Sequence, residues 1–306
     1  MGIVSYAQNF EDVMLWRALG DVGPGFWIDV GASDPSLHSV TRAFFERGWH
    51  GINVEPLAAE FAALELLRPG DINLCVALAE APGEMVFYDC EDGGLSSLDP
   101  AAGARNRAAG RQVVERRVAV STLADICARH VAGDIHFLKI DVEGAERKVL
   151  EGADFTRFRP WIVLVEATIP MSQTDASDEW EALVTGSGYR FCYFDGLNRF
   201  YVAEERWPAL GRHFTAPPNV FDGFTLADSQ AQTALARLER AEAELALLRM
   251  APPASEPAPM PGPMLRLARW LRHFFSAELR AEMSMVRRDM AALTRQVDQL
   301  RRQLRP

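Results

Sequence analysis

The sequence predicts an α/β fold built on a parallel sheet, and three features carry that reading. Seven apolar runs of strand length are separated by segments of helical length: Phe26 to Val30, Gly51 to Val54, Ile72 to Leu78, His136 to Ile140, Trp161 to Val165, Arg190 to Phe194 and Phe200 to Val202. Several runs are apolar on successive residues, as strands covered on both faces by helices require. The chain has 306 residues, 48% hydrophobic and 24% charged, enough for one sizeable core with appendages and too ordinary for a disordered or fibrous chain. EMVFY (84–88) and RRVAV (116–120) alternate more strictly and predict extra strands or a hairpin.

The N-terminal MGIVSYAQNFEDV carries acids where a signal peptide needs a basic and then apolar start, and no uncharged apolar run of about 18 residues occurs. A secreted or membrane-spanning chain is therefore not expected. Cys75, Cys90, Cys127 and Cys192 form no CxxC pair and no zinc-like spacing with the histidines, so they are expected as reduced, buried thiols in a cytoplasm. The net charge of −10 is unevenly divided: from Met264 to Pro306 ten Arg face four acids, leaving about −16 on the first 263 residues. The acidic part repels nucleic acid, while the basic tail suits anions.

Composition divides the chain. Residues 1–215 hold the α/β pattern, and residues 216–250 lead into a helix whose apolar seam runs through Ala231, Ala234, Leu238, Ala241, Leu245 and Leu248. Residues 251–263 contain six prolines and predict a semi-rigid linker. Residues 264–306 open with MLRLARWLRHFF, where Leu267, Leu271, Phe274 and Phe275 share a face bordered by arginines. That face suits either an anionic membrane surface or another subunit. The seam then resumes from Leu279 to Leu304 in heptad steps, which predicts a coiled coil and a homo-oligomer.

The chemistry gathers at strand ends. FWIDV ends in Gly31, followed by Ala32, Ser33, Asp34 and Pro35, and ligands collect where a glycine lets backbone approach them at the carboxyl end of a strand. A dinucleotide needs G-x-G-x-x-G, and Ser33 and Pro35 stand where further glycines belong, which disfavours NAD. S-adenosylmethionine has no phosphate and can be held by one glycine followed by small or polar residues. Asp29 is placed to receive its ammonium directly or through water. Glu55, twenty-four residues after Gly31, is placed to accept both ribose hydroxyls; taken alone it is equally a solvated strand-end carboxylate.

In HFLKIDVEGAERKVLEG, Lys139, Asp141 and Glu143 share parity around the end of a strand, and GAERKVLEG reads as a helix closed by Gly152. Such groups are costly to bury unpaired, so Lys139 is expected to neutralise one of the acids; the alternative is a structural ion pair capping the sheet. Glu166 ends the next run and adds an acid to the same rim. His38 is the one histidine considered as a base, and His130, His136 and His213 are set aside.

Taken together, SYAQNFEDVMLWRAL, FWIDVGASDPSLHSVTRAFFERGWHGINVEP and FLKIDVEGAERKVLEG, with GLSSL and VAVSTLADI between them, resemble the FkbM family of S-adenosylmethionine-dependent methyltransferases over about residues 3–203. The resemblance implies a class I methyltransferase (Rossmann-like) fold with a seven-stranded sheet whose last strand is antiparallel. It implies O-methylation of a hydroxyl on a sugar, glycan or polyketide-type acceptor, and SYAQNFED with DP-x-x-HSVT resembles members of the glycan branch. By position it puts Asp29, Gly31 and Ala32 at the methionine end of the cofactor, Glu55 at the ribose, and Asp141 and Glu143 at the acceptor, one of them the base with His38 as runner-up. Ser33-Asp34-Pro35 departs from the family's more usual GANxG loop. Some sugar methyltransferases of this fold use Mg²⁺, and Asp141, Glu143 and Glu166 could hold such a hard cation. A non-catalytic methyltransferase-like scaffold in a glycan-assembly complex competes with the enzyme, and a dehydrogenase comes third. A cytoplasmic protein is expected, resting on the inner membrane face if the tail binds there.

Overall fold

In the computed structural model, which describes residues 2–90 and 94–227, the apolar runs do form strands. The described residues all belong to one unit, Met1–Arg249. In chain order its first elements are β1 (Val4–Ser5), α1 (Glu11–Leu19), β2 (Phe26–Val30), α2 (Arg42–Phe45), β3 (His50–Val54), α3 (Ala58–Leu67) and β4 (Ile72–Leu74). There follow β5 (Ala77–Leu78), β6 (Gly83–Cys90), α4 (Pro100–Ala108), β7 (Val113–Ser121), α5 (Leu123–His130), β8 (Phe137–Ile140) and α6 (Glu146–Glu151). The last are β9 (Ile162–Glu166), α7 (Glu181–Thr185), β10 (Tyr189–Phe194), β11 (Asn198–Ala203), α8 (Trp207–Leu210) and β12 (Thr225–Leu226).

Seven strands make the central sheet in the order β10-β11-β9-β8-β2-β3-β4. β11 runs antiparallel to both neighbours, and the remaining neighbours in this sheet pair parallel. The period of two sorts side chains onto two faces. Ile28, Val30, Leu138, Ile140, Val163 and Val165 pack beneath α5 and α6 through residues such as Ile126, Val149 and Leu150. On the opposite face, Trp27, Phe137, Ile162 and Leu164 pack beneath α1 and α2 through Met14, Leu15, Leu19 and Phe44. Each such side chain, fully buried, contributes roughly 1.5–3 kcal/mol. Gly51 leaves room for the Trp27 indole, which a Cβ would strike.

That second face changes character along its strands. After Trp27 comes Asp29, after Phe137 come Lys139 and Asp141, and after Leu164 comes Glu166. The amino ends of the strands are therefore packed with apolar side chains, and the carboxyl ends carry the charges.

Some expectations change. The run Ile72 to Leu78 is two strands: β4 stays at the sheet edge, while Ala77 and Leu78 leave it to pair with Val120 and Ser121 of β7. The 84–88 and 116–120 segments do pair, Gly83 opposite Val120 through Cys90 opposite Val113, but α4 lies between them in place of a tight turn. Cys75 is exposed rather than buried, because it lies where the chain leaves the edge strand; Cys90 and Cys127 are buried. Residue 215 does not end the packed body. Arg17 meets Asp222 at 2.6 Å, Phe224 packs on Phe10 at a centroid distance of 5.6 Å, and β12 pairs with β1. The seam from Ala231 to Leu248, the proline-rich linker, the basic amphipathic segment and the coiled coil lie outside the described residues. Among the described residues no helix is long and apolar enough to cross a membrane.

A candidate active site at the carboxyl edge of the sheet

The chain reverses its progress across the sheet between β2 and β8: β2 leads to β3 and β4 on one side, and β8 leads to β9 on the other. The carboxyl ends of such a strand pair flank a natural crevice. Gly31 follows β2 at φ 81°, and a Cβ there would collide with the Asp141 carbonyl oxygen, so the two strand-end loops meet only because this residue is glycine. The Gly31 and Ala32 amides both donate to the Val54 carbonyl, at 3.0 and 3.2 Å, which ties the loop to β3.

A cavity of about 970 Å³ opens here, and its wall includes Gly31, Ala32, His38, Glu55, Asp141 and Glu143. That lies at the upper end of the range for small-molecule and cofactor sites. Asp29 and Glu166 are not on the wall; both are buried behind it. Asp29, expected to receive a cofactor ammonium, is instead taken up by the protein. Its register partner Lys139 places Nζ 3.2 Å from Asp29 Oδ1, 3.3 Å from Asp141 Oδ2 and 3.2 Å from the Gly31 carbonyl. Lys139 does line the cavity, so Asp29 acts on it through that ammonium. Burial works against the charged lysine, but Asp141 and Asp29 outweigh it and hold the ammonium above its ordinary range. One lysine thus neutralises two acids where one was expected.

Glu55 is 6% exposed, and both its oxygens accept backbone N–H groups, Oε2 from Ser33 at 3.0 Å and Oε1 from Leu57 at 2.8 Å. Burial outweighs these bonds and pushes its carboxyl up to about 7. The loop it grips is held from behind as well. Arg68, buried at the end of α3, donates to the Pro35 carbonyl at 2.7 Å and to Ser39 Oγ at 3.0 Å. Ser33 and His38 in this loop, and Glu143 across the cavity, adopt left-handed backbone at φ 49°, 56° and 58°. Such residues cost of order 1–3 kcal/mol each and cluster where a site needs side chains aimed off the regular path. Burial, Asp141 and Glu146 push the Glu143 carboxyl up; burial, Asp141 and Glu143 do the same to Glu166.

His136 and His213, set aside in the sequence, have local tasks. His136 Nδ1 accepts from the Phe26 amide at 3.0 Å, and Arg212 Nε donates to His213 Nε2 at 3.2 Å.

Sequence reasoning did not single out several wall residues. Gln8 and Glu11 come from the N-terminal segment, and Phe87, Asp89 and Arg116 from the small β5-β7-β6 sheet. Glu11 accepts from Asn198 Nδ2 at 2.9 Å and from the Asn9 amide at 2.8 Å; burial, then Asp195, pushes it up to about 7. The one signal for it was an acid in the first turn of α1, beside Asp12, and acids favour helix N-termini for ordinary dipole reasons. Arg116 Nε meets Asp89 Oδ2 at 2.6 Å. Nothing local in the sequence marks that pair.

Glu11, Glu55 and Glu146 are all buried carboxyls pushed from 4.5 up to about 7. Between those values the native state holds protons that the unfolded chain has released, so stability should fall as pH rises from 4.5 through 7. Urea midpoints at pH 5.5 and 7.5 measure this. Glu146 Oε1 accepts from the Val142 and Gly144 amides, both at 3.1 Å, which Gln can reproduce. Glu146→Gln should therefore show a shallower decline, and an unchanged slope would remove Glu146 from the account.

The family model described as Methyltransferase FkbM domain matches residues 29–191, a span that contains Gly31, Glu55, Asp141 and Glu143. No curated protein matches the chain.

Proposed function

The chain belongs to the FkbM methyltransferase family, and from that premise we propose that it is an S-adenosylmethionine-dependent O-methyltransferase acting on a hydroxyl of a sugar or glycan. The observation that carries this is one continuous cavity joining the Gly31 loop, the Glu55 carboxylate and the Asp141–Glu143 turn. The order of the central sheet and its single antiparallel strand support a class I methyltransferase fold.

The residues present suit the cofactor. Gly31 lets the loop backbone approach a ligand, and Glu55 offers two carboxylate oxygens, each with one backbone bond and a lone pair to spare for a ribose diol. Leu57, Val76, Phe87 and Val118 add apolar wall suited to a base. When bound, S-adenosylmethionine supplies a methyl group already activated by its sulfonium charge.

The chain then has three tasks. It must align the acceptor oxygen, exclude water and take the hydroxyl proton as the new C–O bond forms. Asp141, on the cavity wall, is the proton acceptor in this account, with Glu143 beside it and His38 as the alternative. Lys139 is a positioning residue: its contacts with Asp29, Asp141 and Gly31 fix the Asp141 side chain relative to the cofactor loop.

Titration calorimetry with S-adenosylhomocysteine and with NAD tests the cofactor. Binding of the first alone is expected; binding of neither would favour a scaffold, and binding of NAD a dehydrogenase. Mass spectrometry of surface glycans with and without the protein then looks for a shift of one methyl group. Because ribose hydroxyls donate to the ionised form of Glu55, and its carboxyl sits at about 7, affinity for S-adenosylhomocysteine should rise between pH 6 and pH 8. The gain should approach tenfold, following the ionised fraction. Glu55→Gln should bind weakly and with no such rise; a wild-type affinity flat over this range would take Glu55 off the ribose.

A further inference from the structure

The half of the cavity away from Glu55 holds a carboxylate that methyl transfer as described above leaves without a task. Glu11 lines the wall at 4% exposure and is paired with no lysine or arginine among the described residues. It belongs to α1, yet its Oε1 accepts from Asn198 at the start of β11, and Asn198 lies opposite Glu166 of β9 in the sheet register. β11 stands four strand spacings, roughly 19 Å, from β3. Glu11 and Glu55 therefore belong to opposite ends of the carboxyl edge, with Asp141 after β8 between them. Gln8 arrives beside Glu11 because Ala7 bridges to His38; it is exposed on the wall, and its side-chain amide bonds to none of the described residues.

Buried carboxylate oxygens are expected to be satisfied by donors. Each Glu11 oxygen has one, from Asn198 or from the Asn9 amide, and has capacity for another. Glu143 Oε2, on the wall, and Glu166 Oε2, behind it, are buried with none. The cations of the wall are in the opposite condition. Lys139 is shared by Asp29 and Asp141, Arg116 meets Asp89 at 2.6 Å, and Arg117 has Glu84 at 3.9 Å. An anion entering this cavity would meet carboxylates without cations and cations already matched to carboxylates, whereas a hydroxyl would meet acceptors in need of a donor.

We propose that Glu11 and Gln8 form the acceptor subsite, and that it selects an uncharged polyhydroxyl sugar, carried as a glycan and not as a phosphate- or nucleotide-linked unit. Glu11 accepts from one sugar hydroxyl, and the Gln8 amide, which both donates and accepts, bonds a neighbouring one. Selection against a sugar diphosphate follows from the cost of bringing like charges together. The subsite rests on the methyltransferase function and gives it a substrate class.

The test follows transfer of a radiolabelled methyl group from S-adenosylmethionine by the full chain to two probes. One is the neutral oligosaccharide fraction released from surface glycans of cells lacking the protein; the other is a set of UDP-, GDP- and dTDP-linked hexoses. kcat/KM on the neutral probe should exceed that on the nucleotide-linked set by about tenfold or more. Glu11→Gln, checked for folding by its thermal melt, should raise KM for the neutral probe about tenfold or more, with kcat within about threefold and S-adenosylhomocysteine affinity within about twofold. Gln8→Ala, at an exposed position, should raise the same KM severalfold and serves as the deciding variant if Glu11→Gln does not fold. An unchanged KM in the deciding variant overturns the subsite, because a purely structural role would lower the melting temperature alone. Faster transfer to a nucleotide-linked sugar, or transfer to neither probe by a chain that binds S-adenosylhomocysteine, overturns it too. A chain that does not bind S-adenosylhomocysteine would overturn the methyltransferase function itself, and the subsite with it.

Discussion

Lys139→Met should lower the stability of the protein by about 3–5 kcal/mol, because it leaves Asp29 in the interior without its cation. Asp29 is 1% exposed, and its other side-chain contact is a 3.4 Å hydrogen bond from Thr41. For a domain of this size each kcal/mol moves the melting temperature by about 2–4 °C, so a fall of roughly 6–20 °C is expected in thermal denaturation. The double variant Lys139→Met with Asp29→Asn should recover most of the loss, since the uncompensated charge goes too. Equal melting of the single and double variants would show that packing of the lysine stem, and not the charge, was lost. A transfer assay on the same two variants separates a structural ion pair from a positioning one: if the double variant regains its fold but not methyl transfer, the Lys139–Asp29 pair has a positioning role beyond stability.

Asp141→Asn should reduce methyl transfer by about 10²–10⁴-fold, the range expected when a positioned proton acceptor is removed. The backbone carbonyl of residue 141, against which Gly31 packs, is unchanged by the substitution, and Lys139 keeps Asp29. Affinity for S-adenosylhomocysteine should therefore stay within a few fold, and the melting temperature near that of the wild type. If cofactor affinity and transfer disappear together, Asp141 belongs to the cofactor site or to folding. If transfer persists, the proton goes elsewhere, and His38→Gln and Glu143→Gln become the decisive variants.

Much of the site was legible because it follows from short-range rules. Alternation along β8 puts Phe137, Lys139 and Asp141 on one face, so a lysine between two apolar neighbours already announced a charged strand end. Gly31 after an apolar strand reads as room for a ligand; in the structure the atom that a Cβ there would strike is the Asp141 carbonyl oxygen. Glu55 at the end of the next strand lies on the cavity wall. Asp29 was legible as a residue but not in its partner: its pairing with Lys139 depends on β8 settling beside β2, more than a hundred positions later in the chain.

Glu11 and Arg68 show the opposite case. Glu11 reaches the cavity only when α1 lies against the start of β11, where Asn198, 187 residues away, holds its carboxylate. Arg68 supports the loop after β2 from the end of α3, thirty-three residues from the Pro35 carbonyl it bonds. The division of Ile72 to Leu78 into two strands has the same origin. An apolar run shows that a segment is extended and buried, and says nothing about which sheet edge takes its end.

The sequence by itself determined the layered α/β plan, the charged rim at the strand ends and the family, because hydrophobic period, turn chemistry and local motif are all written within a few residues. Only the tertiary structure decided that one lysine serves two acids, that Asp29 stands behind the cavity, and that Glu143 and Glu166 keep unpartnered oxygens beside Asp141. Those outcomes depend on electrostatic balance among groups brought together by strand order, and a charge is satisfied by what surrounds it in space, whatever its neighbours along the chain.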